Sequence, residues 1–556
     1  MTSEAIVRKP LRLWPGVAAA AVLLTAGYLL PAVFPSLAVM GLLAAVGGAL
    51  LILVWWLAFS RARWYERVGA VVLIVAAAMA QRYVVHPSIA GGAMGNLSYM
   101  LVLPTLCVAL VAWAAASRRL SGGMRAAAAV VAVVLGCLPW MLVRTGGIMG
   151  SGKSDLHWRW SPTPEERLLA QAQDEPATPP PLSPTPPTES APAAAAPAAP
   201  AAAPVAPPPI VPTRPAEWPG FRGPDRDGVV RGTAIATDWT AAPPVQVWRR
   251  AVGPAWSSFA VRGDRIYTQE QRGGDEVVSA YRLSTGAAIW RHRDHVRFWE
   301  SNGGAGPRAT PTLRDGRVYS FGATGILNSL DEATGAVIWS RNVATDAHVN
   351  VPMWGFASSP LVVGDAVIVA ASGKLAAYDV TTGNSKWFAT SVGGSYSSPQ
   401  LATIDGVAQV VLMGASGAAG VAPDTGRRLW ESPWGGSVTI VQPAVVGDRG
   451  IVVTTAAATG GEGIRRLEIA RASGKWAAKE LWTSNGLKPY FNDYVVHKGY
   501  AYGFDGSILS CVDLADGTRK WKGGRYGNGQ LVLLPDQDLL LVTSEDGYLA
   551  LVKAAP

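Results

Sequence analysis

Cysteine is nearly absent: three occur in 556 residues, and Cys107 and Cys137 lie inside long apolar runs, which leaves Cys511 alone in the remainder. One thiol cannot form a disulfide framework, and no C-x-x-C-H sequence for covalent haem exists. Charge is also sparse, at 16% of residues, and residues 1–150 carry 11 Lys/Arg against only Glu4 and Glu66. The other 406 residues balance at 37 basic and 37 acidic side chains, so the formal +9 belongs to the first part alone. A neutral remainder has no electrostatic reason to bind a polyanion, and no nucleic-acid partner is expected.

What the first part does have is apolar length. Five stretches, roughly 13–33, 38–60, 68–85, 98–117 and 126–143, are each near the ~20 residues that cross a hydrocarbon core. Arg8, Lys9, Arg12, Arg61, Arg63, Arg67, Arg118, Arg119 and Arg125 fall on one side of these spans, with only Arg82 and Arg144 on the other. The positive-inside rule puts the N-terminus in the cytoplasm and everything beyond residue 144 outside it, which in a bacterium means an inner-membrane protein with a periplasmic domain. The first run has no convincing cleavage site after it and reads as an uncleaved span. Gln81, Arg82 and His86, at the outer end of the third span, are the candidates for contact with a membrane quinone, with interfacial snorkelling as the alternative.

Residues 1–147 are therefore read as the membrane domain and 148–175 as a juxtamembrane segment. Gly147 to Ser154 matches G-x-x-x-x-G-K-S, yet a phosphate-binding loop needs a preceding strand of a parallel sheet and a following helix. A membrane helix precedes this match and Asp155-Leu-His-Trp-Arg-Trp160 follows, so no nucleotide is expected there. Thr163-Pro164-Glu165-Glu166 combines an N-cap, a proline at the first helical position and a glutamate at the third, which predicts a short helix to about Gln173. Residues 176–216 form a Pro/Ala-rich linker: 16 of the 40 residues from Pro176 to Pro215 are proline. That composition favours polyproline II and makes a stiff spacer, which at ~3.1 Å per residue spans on the order of 100 Å.

Residues 217–556 repeat. Trp248, Trp290, Trp339, Trp387, Trp430, Trp482 and Trp521 are separated by 42, 49, 48, 43, 52 and 39 residues, and most follow a Thr-Gly or Asp-Gly turn. Asp331-Glu-Ala-Thr-Gly-Ala-Val-Ile-Trp339 and Asp379-Val-Thr-Thr-Gly-Asn-Ser-Lys-Trp387 are clear copies, preceded by alternating strands such as Gly364-Asp-Ala-Val-Ile-Val369. Units of this length with four short strands predict an all-β propeller of four-stranded antiparallel sheets. The indole is expected to wedge against the neighbouring blade.

These Asp-x-x-Thr-Gly-x-x-x-Trp units resemble the PQQ-repeat, or quinoprotein-type, propeller family over about residues 217–556. Glu217-Trp-Pro-Gly-Phe-Arg-Gly-Pro-Asp-Arg-Asp-Gly228 is similar to the opening segment of a large bacterial branch of that family, as are Trp354 to Pro360, Tyr396 to Gln400 and Gly523 to Gln530. Within the family, membrane-bound glucose dehydrogenases similarly join five spans to a propeller, whereas the barrel-assembly lipoprotein of the outer membrane uses the repeats as a cofactor-free scaffold. Counting units gives seven blades, with eight as the alternative known from relatives. The strand ending at Trp248 and the three strands of 531–553 are expected to share one blade and close the ring.

In such a fold the residues before each inner strand ring the channel mouth: Trp256 and Ser257, Arg308 and Thr310, His348, Asn350, Trp354 and Ser358, Tyr396 and Ser398, Gln442, Asn492 and Asp493, Arg525, Asn528 and Gln530. If PQQ binds, the resemblance implies Arg308 and Arg525 for its carboxylates and Trp354 for its rings, with Asn492, Asn528 and Gln530 around it. A calcium ion would start from Asn350, Asn492 and Asp493, and Asp493 or His348 would take the alcohol proton. Two functions follow as expectations: a periplasmic binding or scaffolding module with a protein partner, or a PQQ- and calcium-dependent alcohol or sugar dehydrogenase that passes electrons to ubiquinone.

Overall fold

The structure is a computed structural model that describes residues 11–34, 37–148, 154–171, 217–390, 392–436, 438–457 and 460–556. Uninterrupted apolar sequence makes five helices long and apolar enough to cross a membrane: Trp14–Val33, Met40–Phe59, Trp64–Gln81, Leu97–Arg119 and Gly123–Met141. The third begins at Trp64, four residues before the expected start at 68. Its first turn can hold Glu66 because Arg125 approaches that carboxylate at 3.4 Å. The span consequently ends at Gln81, not at 85. Trp55, Trp56, Ile52, Val102, Leu106 and Cys107 fill the core between the helices.

Beyond the fifth helix, Val143–Ile148 pairs antiparallel with Ser154–Trp158. The Gly147 to Ser154 match thus runs from one hairpin strand to the next, with 149–153 outside the described residues and no helix following. Pro164–Leu169 is the short helix, closed by a capping box in which the Glu166 amide donates to Thr163 Oγ at 2.9 Å. It stops at Ala170, short of Gln173. The linker at 176–216 lies outside the described residues.

Seven sheets of three to five strands follow among the described residues, each antiparallel and consecutive in sequence, with a two-stranded ladder, Trp299–Glu300 with Gly304–Ala305, between the first and second. The first opens with Glu217–Trp218 paired to Ala260–Arg262 and ends at Ala288–Asp294, making five strands. Five four-stranded sheets start at Thr312–Arg314, Leu361–Val363, Gln400–Ile404, Ala444–Val446 and Val495–His497. The seventh has three strands, Gln530–Leu534, Leu539–Thr543 and Leu549–Lys553. The strand expected to end at Trp248 is not formed: Val245 and Val247 are 83% and 80% exposed, and Leu549–Lys553 has no ladder partner on its outer side.

The repeated tryptophans act between sheets. Trp290, Trp339, Trp387, Trp482 and Trp521 lie on last strands, and each indole N–H reaches a backbone carbonyl of the following sheet: Glu332, Val380, Pro423, Leu514 and Ala555. Trp248 makes the same bond, to Leu283 of the first sheet, from outside any strand. Trp430 differs, donating to Gln409 Oε1 of its own sheet, because the fifth sheet has an Ala472 to Lys475 hairpin in place of the Asp-x-x-Thr-Gly turn. Between neighbouring sheets the buried side chains form six apolar cores, first to second through sixth to seventh.

The juxtamembrane segment docks on this array. Both Glu165 oxygens meet Arg297 at 2.8 Å, Glu165 Oε1 also accepts the Gly273 amide, and Asn302 Oδ1 accepts the Ala93 amide at 2.9 Å. A bidentate arginine–carboxylate pair with this geometry contributes about 1 kcal/mol. A Cβ on Gly91 would stand 2.7 Å from Ser301 Oγ, so a Gly91→Cys/Ser301→Cys pair should form a disulfide in the full chain. Arg297→Glu is expected to lower its yield about fivefold, measured by gel shift under mild oxidation.

Candidate functional site

The first strands of the first to fourth sheets lie side by side in order, as do those of the fifth to seventh, the first sheet taking part through Ala260–Arg262, and the segments just before these strands carry the residues expected at the mouth. The middle of the sheets is filled by the chain itself. Glu217-Trp-Pro-Gly-Phe-Arg-Gly-Pro-Asp-Arg-Asp-Gly228 is too rich in glycine and proline to extend a ladder, so after Trp218 it turns repeatedly and runs as an arm across the first strands.

The arm meets the sheets in turn. Pro219 O accepts the Leu313 amide of the second sheet at 2.7 Å. Arg226 donates to Ser359 O (3.2 Å) and Pro360 O (2.9 Å) before the third sheet, and to Gln442 Oε1 (3.2 Å) before the fifth. Gln442 Nε2 returns bonds to Arg226 O and to Gln400 Oε1, and Gln400 Nε2 of the fourth sheet donates to Asp225 O. Arg222 donates to Tyr494 O at 2.6 Å and pairs with Asp493 at 2.6 Å before the sixth. The Leu533 amide of the seventh donates to Gly228 O, and the Val230 amide to Leu533 O.

Arg226 is 8% exposed and its acceptors are neutral. Burial, and then the neighbouring Arg222 charge, lowers its pKa to about 9, so it stays a cation at neutral pH. Arg222 and Arg226 both sit at positive φ (63° and 55°), a backbone region that non-glycine residues hold only where the surroundings over-determine it.

The candidate residues divide into two groups. Arg308 and Trp354 come together, Arg308 Nε donating to Trp354 O. The Arg308 guanidinium also donates to the carbonyls of Gly304, Ala305 and Gly306, meets Glu300 at 3.3 Å and lies over the Phe298 ring at 5.0 Å. Trp354 packs its own ring on Tyr396. Asp493 and Gln530 also meet, through the Asp493 amide, while the Asp493 carboxylate faces Arg222. Asn492 is buried, accepting the Tyr490 amide with Oδ1 and leaving Nδ2 without an acceptor among the described residues. Asn528 donates to Glu545 and the exposed Arg525 to Ser507 Oγ. His348 and Asn350 are exposed on the connection before the third sheet and share no described bond with Asn492 or Asp493. No group of three or more His, Cys, Asp or Glu side chains among the described residues is placed to hold a metal ion.

Arg222, Arg226 and Gln400 were not foreseen at the centre. The one available signal was a turn-dense segment carrying two arginines, which says that it is no strand but not that it runs inside the fold.

A family model described as outer membrane protein assembly factor BamB, built on the PQQ repeat, matches residues 228–404 and 274–523. The chain belongs to this PQQ-repeat family. No curated protein matches it. Among solved structures, BamB from Moraxella catarrhalis is 19% identical with a TM-score of 0.39, covering 54% of this chain and 83% of its own. A europium-containing methanol dehydrogenase is 13% identical (TM-score 0.35, 59% and 89% covered), and a computationally designed protein, Ika8, is 13% identical (TM-score 0.34, 54% and 96% covered).

Quinoproteins of the PQQ-repeat family hold a flat, carboxylate-bearing cofactor and a cation, and the donor set here does not fit that group. Arg308, the less exposed of the two expected cations, gives its donors to backbone carbonyls and Glu300. The Asp493 carboxylate is engaged by Arg222, and the middle of the first strands is taken by Arg226. Asn492 turns an orphan N–H, not an oxygen, to its surroundings.

Proposed function

We propose that this PQQ-repeat protein is a binding or scaffolding module anchored in the bacterial inner membrane. In this reading its N-terminus is cytoplasmic and its seven sheets form a closed periplasmic propeller of seven blades. The excess of Lys/Arg on one side of the five spans supports the orientation. The observation that carries the function is the engagement of Arg308, Asp493 and Arg226 by the chain itself, which leaves recognition to exposed side chains around the filled centre. Trp256 and Met353, 65% and 64% exposed, stand on the connections before the second strand of the first sheet and before the third sheet. Exposed aromatic and methionine side chains beside a rigid frame are the residue types that anchor protein interfaces.

The rival, a PQQ- and calcium-dependent dehydrogenase feeding ubiquinone, is less supported because the Asp493 carboxylate is paired with Arg222 and shares no described bond with His348 or Asn350. A photo-crosslinking amino acid at 256 or 353 of the full chain should give one discrete adduct in membranes, and one at Asp405, on the opposite face, should give none. PQQ-dependent dye reduction by the reconstituted full chain, with no adduct from 256 or 353, would transfer the assignment to the dehydrogenase.

A further inference from the structure

The arm bears on more than the cofactor. Each neighbouring pair of sheets from first to seventh shares an apolar core, but among the described residues no such core joins the seventh sheet to the first. The seventh sheet also lacks the fourth strand that would span this junction. Both ends of the arm, however, are paired: Glu217 and Trp218 with Arg262 and Val261 of the first sheet, Val229 with Leu533 of the seventh. The chain continues along the seventh sheet, where the Gly232 amide donates to Asp536 and the Ile235 amide to Gln537.

We propose that residues 219–230 are a permanent internal ligand of the propeller: they occupy the middle of the sheets, and they join the first sheet to the seventh there, in addition to the rim contact that Trp248 makes with the first sheet. A cation in that position suits the part, because two backbone carbonyls of the segment entering the third sheet and the Gln442 side-chain oxygen before the fifth converge on it, and a guanidinium carries donors enough for all three. This holds whichever surface the protein uses to bind a partner.

The test uses the full chain in detergent. For the wild type, PQQ with Ca²⁺ well above micromolar concentration should leave the melting temperature of the propeller unchanged, since only a ligand of the native state raises it. Arg226→Ala should lower that temperature by about 10 °C. It should also accelerate amide exchange at both Leu313 and Leu533, the donors to the two ends of the arm. Gln442→Leu removes one partner and should do the same to a smaller degree, which keeps the test open if Arg226→Ala fails to fold. Arg308→Ala, a buried arginine outside the arm, should lower the melting temperature without coupling those two amides. A saturable, Ca²⁺-dependent rise in the wild-type melting temperature would overturn the proposal, as would unchanged exchange at Leu313 and Leu533 in Gln442→Leu.

Discussion

Trp339→Ala is expected to destabilise the propeller by about 4 kcal/mol, the range for truncating a large buried aromatic. Trp339 is almost fully buried in the core between the second and third sheets, donates to Val380 O at 3.0 Å and packs against the Tyr319 ring at 6.0 Å. The more revealing partner is Gly383, in the Thr-Gly turn beneath it. A Cβ there would lie 2.6 Å from the indole, and its φ is +70°. Gly383→Ala should therefore cost about 3 kcal/mol in the wild type, from overpacking plus the left-handed backbone. With Trp339→Ala already present the clash is gone, and the same change should cost only about 1 kcal/mol. A double-mutant cycle on the melting transition should thus show coupling near 2 kcal/mol; additive losses would mean that turn and indole do not act as one unit.

That pair also shows why the repeats were readable. Turn glycine and tryptophan recur at fixed separation because each indole needs a carbonyl and an open space on the next sheet, so a packing rule became a sequence period. Where the next sheet changes its hairpin, as it does for Trp430, the period survives but the partner does not. The spans were equally legible, apart from the start of the third, since hydropathy does not register that Arg125 on another helix neutralises Glu66. The arm was not legible. Its contacts link residues more than a hundred positions apart, such as Arg226 with Ser359 and Gln442 and Arg222 with Tyr494, and no local periodicity encodes them. Of the expected mouth residues, Asp493 is bonded to the arm and Arg308 to Glu300 and neighbouring carbonyls, so roles inferred from position alone missed what each is bonded to.

Glu276 carries the second large expectation, a pH dependence opposite in sign to that of an ion-paired carboxylate. It sits 4% exposed on the first sheet, where it accepts the Ala323 amide at 3.1 Å and the Thr324 hydroxyl at 3.2 Å from a turn of the second sheet. Burial raises its pKa from 4.5 to about 7; the two hydrogen bonds offset this only in part, and Asp294, its cross-strand partner, adds to it. Between about pH 4.5 and 7 the folded carboxyl therefore keeps a proton that the unfolded one has released. Its contribution is complete below about pH 4.5 and is lost as the pH rises through 7, a fall of about 3 kcal/mol. Glu276→Gln keeps a carbonyl acceptor for the Ala323 amide and cannot ionise. The variant should match the wild type at pH 5 and exceed it by roughly 2 to 3 kcal/mol at pH 8, read as the difference between two chemical-denaturation curves at each pH. Taking that difference cancels the other titrating groups, including the nearby His292 and Asp294 pair. A difference that stays flat from pH 5 to 8 would mean that Glu276 is ionised throughout and that the Ala323 and Thr324 bonds outweigh its burial.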